Sequence, residues 1–274
     1  MSNNNEITVI TIPLEKLSSN ETKLFFGQKV LHPFVRELYE TTVKKFNKKK
    51  NSEYDVQIKS MGYCDKFISS EVENSIKNTN RFEIKHDGCC GFIKYDSKSD
   101  SFTPYTRFDV KKNKKTGQFD SVPSEWIPCE PLPTSPDATH WPHFRQCIED
   151  SKLYQHQLNA FNHAQGTGTL NKAKGSFTCE YMGKKINYCS MDPIEQNALI
   201  VPHGSYQIQI PSELRTFDGF KMVFTQMPDI EGIMAYGEDG TIYKIRRDMY
   251  QGLIWPDNSL QELSTNLSSK VALG

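Results

Sequence analysis

Hydrophobic and polar residues alternate along most of this chain, in short runs separated by turns rich in Gly, Pro and Ser. Such alternation is typical of β-strands with one buried face. It predicts strands at residues 7–12, 56–58, 102–110, 176–181, 206–210, 220–224, 230–236 and 241–246, and two short strands within residues 82–93. Asp87-Gly88 and Glu238-Asp239-Gly240 have the composition of hairpin turns.

Two stretches have a helical pattern instead. In residues 33–46, a proline suits the first turn, and Val35, Leu38, Thr42 and Phe46 fall along one face. This helix is expected to end in a solvated lysine run at positions 44, 45 and 48–50, with a surface facing RNA as the alternative. A second helix is predicted at residues 151–164. Residues 121–140 are expected to form a long surface loop, and residues 164–175 a flexible connection.

These elements predict an α+β fold of antiparallel sheets with a few flanking helices. The length of 274 residues fits one large domain or two small ones. We expect a single domain over residues 1–274, with residues 1–53 as an N-terminal accessory segment.

Composition narrows the functional classes. The 33 basic and 33 acidic residues balance, which argues against a protein that coats nucleic acid non-specifically but is compatible with a local basic groove. The start of the sequence lacks the pattern of a signal peptide, and no apolar run has membrane-spanning length. The seven cysteines show no Cys-x-x-Cys spacing, so we expect reduced thiols in the cytoplasm or nucleus. Cys89 and Cys90 are expected on opposite faces of a strand, as small buried side chains.

Lys85 begins a Lys-His-Asp-Gly sequence at the end of an apolar run. The simpler interpretation is a surface lysine beside a turn, but a lysine in this position can also be held rigidly in a cleft. A free lysine is protonated at neutral pH and is a poor nucleophile, whereas burial and nearby positive charge lower the pKa of an amine. Such an amine can attack the α-phosphate of ATP and expel pyrophosphate. Lys85 is therefore a candidate nucleophile.

Several separated stretches resemble the covalent nucleotidyltransferases, and most closely the vertebrate-type ATP-dependent 5′-to-3′ RNA ligases. The resemblance covers roughly residues 54–256. Its stretches occur in the family's order and are Lys85-His86-Asp87-Gly88-Cys89-Cys90, Tyr105-Thr106-Arg107-Phe108-Asp109, Glu125-Trp126-Ile127-Pro128, Phe177-Thr178-Cys179-Glu180, Pro202-His203-Gly204-Ser205-Tyr206-Gln207-Ile208, Ile230-Glu231-Gly232-Ile233, Tyr243-Lys244-Ile245-Arg246-Arg247 and Gly252-Leu253-Ile254-Trp255-Pro256. Before the lysine, where these ligases often have glutamate, this chain has Ile84, with Glu83 one residue earlier.

The resemblance implies an antiparallel nucleotidyltransferase core, similar to ATP-grasp ligases, and a role for each matching residue. Lys85 and Lys244 would be catalytic, and Glu231 would bind Mg²⁺. ATP would be bound by Lys85, Asp87, Arg107, Glu180, Tyr206, Lys244 and Arg246. Glu180 would contact the ribose, while Tyr206 would either stack on adenine or pack in the core. Alternation from Lys244 favours Arg246 over Arg247 as the second phosphate-binding cation. His203 is expected to shape a turn rather than to act as an acid or base.

The resemblance also implies a reaction. ATP and Mg²⁺ would charge the lysine with AMP, and the chain would join RNA ends that carry a 5′-phosphate and a 3′-hydroxyl. The segment after Arg246 is too short for an OB barrel, so no OB domain is expected, which favours RNA ligases over DNA ligases and capping enzymes. The alternatives are an enzyme that AMPylates proteins or itself, a non-catalytic RNA-binding module, and use of GTP. No protein partner is implied.

Overall fold

A computed structural model describes residues 7–17, 25–47, 52–149, 151–183, 186, 198–253 and 255. This part of the chain forms an α+β fold with mainly antiparallel sheets and few helices. Its strands are β1 (Thr8–Thr11), β2 (Phe34–Asn47), β3 (Ser52–Phe67), β4 (Arg81–Lys85), β5 (Cys89–Asp96), β6 (Ser101–Lys111), β7 (Ile127–Pro128), β8 (His140–Gln146), β9 (Phe177–Met182), β10 (Leu199–Pro202), β11 (Tyr206–Gln209), β12 (Gly232–Tyr236) and β13 (Ile242–Arg246). Its α-helices are α1 (Ser70–Asn78), α2 (Gln155–Gly166) and α3 (Phe217–Gln226).

The chain divides into two compact units. Unit 1 comprises residues 1–31 and 81–209, and unit 2 comprises residues 32–80 and 210–274. The first 53 residues are therefore shared between the units: β1 pairs with β11 in unit 1, and β2 pairs with β3 in unit 2. The assignment of the whole chain to one nucleotidyltransferase domain stays a prediction.

Unit 1 is built on a sheet in the order β10-β9-β5-β6-β8-β7. A core of Ile93, Phe177, Cys179 and Tyr181 fills the space beneath α2, which contributes Ala160, Phe161 and Ala164. The strands β1, β11 and β4 form a second antiparallel group in this unit. β4 is buried at three consecutive positions and β11 at Ile208, whereas β1 is exposed along its length.

Unit 2 contains two antiparallel hairpins, β2–β3 and β12–β13, with the helices α1 and α3. Its interior is aromatic: the ring centroid of Phe34 lies 6.2 Å from that of Phe220 and 5.5 Å from that of Tyr63. Tyr250 lies 5.7 Å from Phe224 and 5.4 Å from Tyr63. The turn at 238–240 joins β12 to β13, and Gly240 adopts the positive φ of 80° that this turn requires.

The structure confirms the predicted strands except for one, and it places a helix in residues 151–164 as α2, preceded by a 3₁₀ turn at Lys152–Tyr154. Residues 121–139 form the expected loop apart from the short strand β7, and His140 begins β8. In the part of the chain that the structure describes, the helix α1 and the strands β7, β8 and β10 were not predicted. In the described part of the chain, no helix combines the length and apolarity needed to cross a membrane.

Two predictions were wrong. Residues 33–46 form β2 and not a helix, because they pair residue by residue with the long strand β3, and the β-branched run Thr41-Thr42-Val43 suits a strand. Lys44 and Lys45 lie on this strand, while positions 48–50 are outside the described residues. Residues 220–224 lie in α3 and not in a strand. Thr216 caps this helix by accepting a hydrogen bond from Gly219 N, at 3.1 Å.

Candidate functional site

The Lys85 turn connects β4 to β5 in unit 1. Three buried residues precede the lysine in β4, and Lys85 itself is half-buried at the strand's end. The turn packs tightly: a Cβ atom on Gly88 would lie 2.4 Å from the carbonyl oxygen of Tyr181 and 2.6 Å from Glu180 Cγ. Position 88 therefore requires glycine, because only a residue without a Cβ atom lets the turn pack this closely against β9.

Glu180, Cys90 and Arg107 form a row across three neighbouring strands. Cys90 on β5 is the direct partner of Glu180 on β9. The pairing of Gly91 with Thr106 sets the register on the other side, so Arg107 on β6 lies opposite Cys90. Directly opposed residues share a face of a sheet. The sheet therefore gathers on one face two residues that the resemblance assigns to the ATP site, with a cysteine between them.

Arg107 carries an unsatisfied donor. Its Nη2 atom is paired with Asp109 Oδ1 at 2.9 Å, and 20% of its side chain is exposed. Its Nε atom is buried and has no hydrogen-bond partner within the described residues. A buried donor without an acceptor costs free energy unless a ligand or solvent supplies one. Arg107 is thus suited to bind an anionic or carbonyl group.

Two histidines lie near the Lys85 turn. The ring of His86 contacts Tyr206 edge-to-face, with centroids 5.2 Å apart. Burial, together with electrostatic repulsion from His203 and Lys85, lowers the pKa of His86 to about 4. His86 is therefore neutral at pH 7. His203 lies in the turn that precedes β11, as expected, but its side chain also reaches β9: its Nε2 atom is 3.4 Å from Glu180 Oε2.

Glu83 explains how the His203 turn is fixed. This carboxylate is 4% exposed, accepts a hydrogen bond from Arg81 Nε at 2.7 Å, and accepts another from the backbone N–H of Gly204 at 3.1 Å. A buried carboxylate needs such partners, because an isolated buried charge is strongly unfavourable. Glu83 therefore links β4 to the turn that carries His203.

Cys89 and Cys90 point to opposite faces of β5, as alternation predicts, and both are half-buried. Burial and the adjacent Glu180 raise the pKa of the Cys90 thiol well above its usual value, and the same two causes raise that of Cys89. Both thiols are protonated at pH 7. Cys90 Sγ, one carboxylate oxygen of Glu180 and one ring nitrogen of His203 lie within 4.8 Å of one another.

Unit 2 carries the remaining candidates. Lys244 and Arg246 alternate along β13, opposite Met234 and Gly232 of β12. Glu231 directly precedes β12 and is 7% exposed, and its Oε1 atom lies 3.8 Å from Arg246 Nε. That Nε atom is buried and has no hydrogen-bond partner among the residues that the structure describes. The end of this hairpin thus combines a buried carboxylate with cations on one face.

Arg246 and Arg247 have different environments. Arg247 is 4% exposed, and its Nη1 atom donates to the carbonyl oxygens of Phe224 and Met227. Arg246 pairs with Asp248 at 2.5 Å and keeps 31% of its side chain exposed. Arg247 therefore braces the end of α3, which leaves Arg246 as the accessible cation beside Lys244.

Sequence reasoning missed a group around Tyr63. The Tyr63 hydroxyl is 2.7 Å from His32 Nδ1, and it accepts a hydrogen bond from the backbone N–H of Arg246 at 3.2 Å. Burial, together with the positive charges of Lys244, Arg36 and Arg246, lowers the pKa of His32 to about 3. Positive charge is therefore concentrated at the end of β13. No local motif marks this group, because its members come from three separate parts of the chain.

Unit 1 thus contains Lys85, Asp87, Arg107, Glu180 and Tyr206, and unit 2 contains Glu231, Lys244 and Arg246. No family model matches the chain, and comparisons with curated proteins and with solved structures likewise give no match.

Proposed function

We propose that this protein is an ATP-dependent RNA ligase that works through a covalent lysyl-AMP intermediate on Lys85, within a nucleotidyltransferase core. The observation that carries the proposal is the packing of the Lys85 turn. Gly88 fixes this turn against β9 beside Glu180, and the sheet register adds Arg107 on the same face as Glu180. Lys85, Arg107 and Glu180 come from three different family motifs, and all three belong to one compact unit.

The chemistry of these side chains fits ATP. Arg107 offers a buried N–H donor without a partner, and Glu180 offers a carboxylate that can accept hydrogen bonds from ribose hydroxyls. Tyr206 offers an aromatic ring beside a neutral imidazole, which suits stacking on a base. In unit 2, Lys244 and Arg246 would bind phosphate oxygens.

Glu231 fits Mg²⁺, because this hard cation prefers carboxylate oxygens and is usually held by one or two of them. When bound, Mg²⁺ would neutralise charge on the phosphates. Glu231 is buried, so a nearby cation compensates its charge, and in this structure Arg246 performs that role.

The reaction has three steps. Lys85 Nζ attacks the α-phosphorus of ATP, a P–N bond forms, the bond to the β-phosphate oxygen breaks, and pyrophosphate leaves. A 5′-phosphate oxygen of RNA then attacks the same phosphorus, which breaks the P–N bond, regenerates the lysine and gives a 5′–5′ pyrophosphate. Finally a 3′-hydroxyl loses its proton and attacks the RNA phosphate, so that a phosphodiester forms and AMP leaves. Transfer of this kind depends mainly on positioning and electrostatics, which suits a site of lysine, arginine and carboxylate groups.

Covalent labelling tests the first step. The protein is incubated with α-labelled ATP and Mg²⁺, denatured, and assayed for retained label. Wild type should be labelled, Lys85→Ala should not, and Lys94→Ala should be labelled like wild type, because Lys94 is an exposed lysine on the adjacent strand β5. An unlabelled wild type would contradict the proposal and leave a non-catalytic RNA-binding module as the better hypothesis. Equal labelling of wild type and Lys85→Ala would contradict Lys85 as the nucleophile and assign the AMP to another residue.

A chase experiment tests the acceptor. The labelled protein is purified from ATP and mixed with RNA that carries a 5′-phosphate and a 3′-hydroxyl, and in parallel with matching DNA and with RNA that lacks the phosphate. Phosphorylated RNA should discharge the label and yield joined product. Transfer of label to a protein, with none to RNA, would identify an AMPylating enzyme instead. Labelling with α-labelled GTP in place of ATP would correct the choice of nucleotide.

A further inference from the structure

We propose that Cys90, Glu180 and His203 form a binding site for a thiophilic divalent metal of the zinc class, separate from the Mg²⁺ site proposed at Glu231. The three side chains come from β5, from β9 and from the turn before β11, all in unit 1. Each offers a donor atom that zinc accepts: a sulfur, a carboxylate oxygen and an imidazole nitrogen. The site does not depend on the proposed ligase activity.

The distances fit a shared ion. Bonds of about 2.0–2.1 Å to nitrogen and about 2.0–2.2 Å to oxygen, at tetrahedral angles, separate the two donor atoms by about 3.4 Å. His203 Nε2 and Glu180 Oε2 are 3.4 Å apart, which is longer than an ordinary N–H···O hydrogen bond of about 2.7–3.2 Å. Cys90 Sγ lies within 4.8 Å of one ring nitrogen of His203 and of one carboxylate oxygen of Glu180. A small rotation of the cysteine side chain would complete the three-ligand set.

The surroundings hold the ligands in place. Sheet pairing fixes Cys90 opposite Glu180, and the bond from Gly204 N–H to Glu83 fixes the turn that carries His203. The Nδ1 atom of His203 is buried and has no hydrogen-bond partner in the described part of the chain. The Nε2 atom, which would bond to the metal, makes only the long contact of 3.4 Å with Glu180 Oε2.

Electrostatics also favour a cation between Cys90 and Glu180. Burial and the carboxylate of Glu180 both disfavour the Cys90 thiolate and raise the pKa of the thiol, so the metal-free thiol stays protonated. A divalent ion would bond to the sulfur, and the thiol proton would leave to solvent. The ion brings two positive charges to the thiolate and carboxylate, so the three-ligand complex is neutral apart from the nearby Arg107. Three protein ligands also leave one position open, which is typical of exchangeable rather than purely structural zinc.

Cobalt titration tests the site. Co²⁺ is added to the metal-free, reduced full-length protein, and the thiolate-to-cobalt charge-transfer absorption is recorded, with Zn²⁺ affinity measured by competition. Wild type should show a saturable thiolate–cobalt band, which Zn²⁺ abolishes and excess Mg²⁺ does not. Cys90→Ser should abolish the band and weaken Zn²⁺ binding by at least about tenfold, since even partners outside the ligand set contribute that much. Cys89→Ser is the matched control, because Cys89 points to the opposite face of β5.

His203→Asn gives a second test if Cys90→Ser does not fold, and circular dichroism checks the fold of each variant. His203→Asn should keep the thiol but weaken Zn²⁺ binding by a similar factor. Absence of the band in wild type, or an unchanged band in Cys90→Ser, would overturn the proposal. Because metal binding is measured directly, its failure is distinguishable from failure of the lysine-labelling experiment.

Discussion

Gly88→Ala perturbs the close approach of the Lys85 turn to β9. The new Cβ atom would lie 2.4 Å from a backbone carbonyl oxygen, whereas real Cβ atoms essentially never come closer than 3.0 Å. A backbone oxygen cannot rotate away as a flexible side chain can. The turn or β9 must therefore retreat by roughly half an ångström or more, which changes the distance between Lys85 and Glu180.

Displacements of about 1 Å in a reacting site can lower rates by about a hundredfold. We therefore expect Gly88→Ala to slow single-turnover labelling by α-labelled ATP by a factor on the order of ten to a hundred. Gly166→Ala is the matched control. Position 166 ends α2, has no atoms within 4 Å of an added Cβ, and should label at the wild-type rate with stability raised by up to about 1 kcal/mol. A folded Gly88→Ala protein that labels at the wild-type rate would refute the assignment of the turn to the reacting site.

Two further predictions concern stability. Arg247→Met removes the buried donor to the carbonyl oxygen of Phe224 and should lower the free energy of unfolding by about 1–3 kcal/mol. Lys94→Met, at an exposed position of β5, should change it by less than about 1 kcal/mol. Urea denaturation checks both, and equal effects would contradict the structural role of Arg247. His86 has a pKa of about 4 when folded and 6.5 as its ordinary value, so the unfolded state binds more protons between these pH values, and stability should fall as pH drops through this window. His86→Asn should flatten the pH dependence of the melting temperature between these values, and an unchanged slope would show that His86 is not the group responsible.

Local patterns predicted most of the strands because alternation is a local property. They failed where the pairing partner decides the structure. Residues 33–46 have apolar positions compatible with a helix, and the long strand β3 makes them a strand instead. The apolar segment 220–224 is short, so the alternation of a strand and the spacing of a helix are hard to distinguish there. The Thr216 cap and the buried spacing of Phe220, Val223 and Phe224 decide for the helix.

Only those residues of the candidate site that lie in recognisable sequence motifs could be predicted from the sequence. Lys85, Glu231 and Lys244 lie in short recognisable stretches, so the sequence identified them as candidates. The role of Glu83 depends on a hydrogen bond to Gly204, and the side chain of His203 contacts Glu180, in each case across a large sequence separation. No periodicity or spacing encodes such contacts. The sheet register that aligns Cys90 with Glu180 likewise depends on long-range pairing.

Glu180 connects the two proposals and makes them testable together. As a ligand of the ribose it must present its carboxylate to a nucleotide, and as a ligand of zinc it must present the same oxygens to a metal. One carboxylate that is 14% exposed has little room to do both. Zn²⁺ should therefore slow the labelling of Lys85 by α-labelled ATP, and added ATP should oppose this inhibition. Cys90→Ser should raise the zinc concentration that halves labelling by at least about tenfold, while Cys89→Ser should leave it unchanged. Equal inhibition of both variants would assign the effect of zinc to another site, and it would separate the roles of Glu180 as a nucleotide ligand and as a metal ligand.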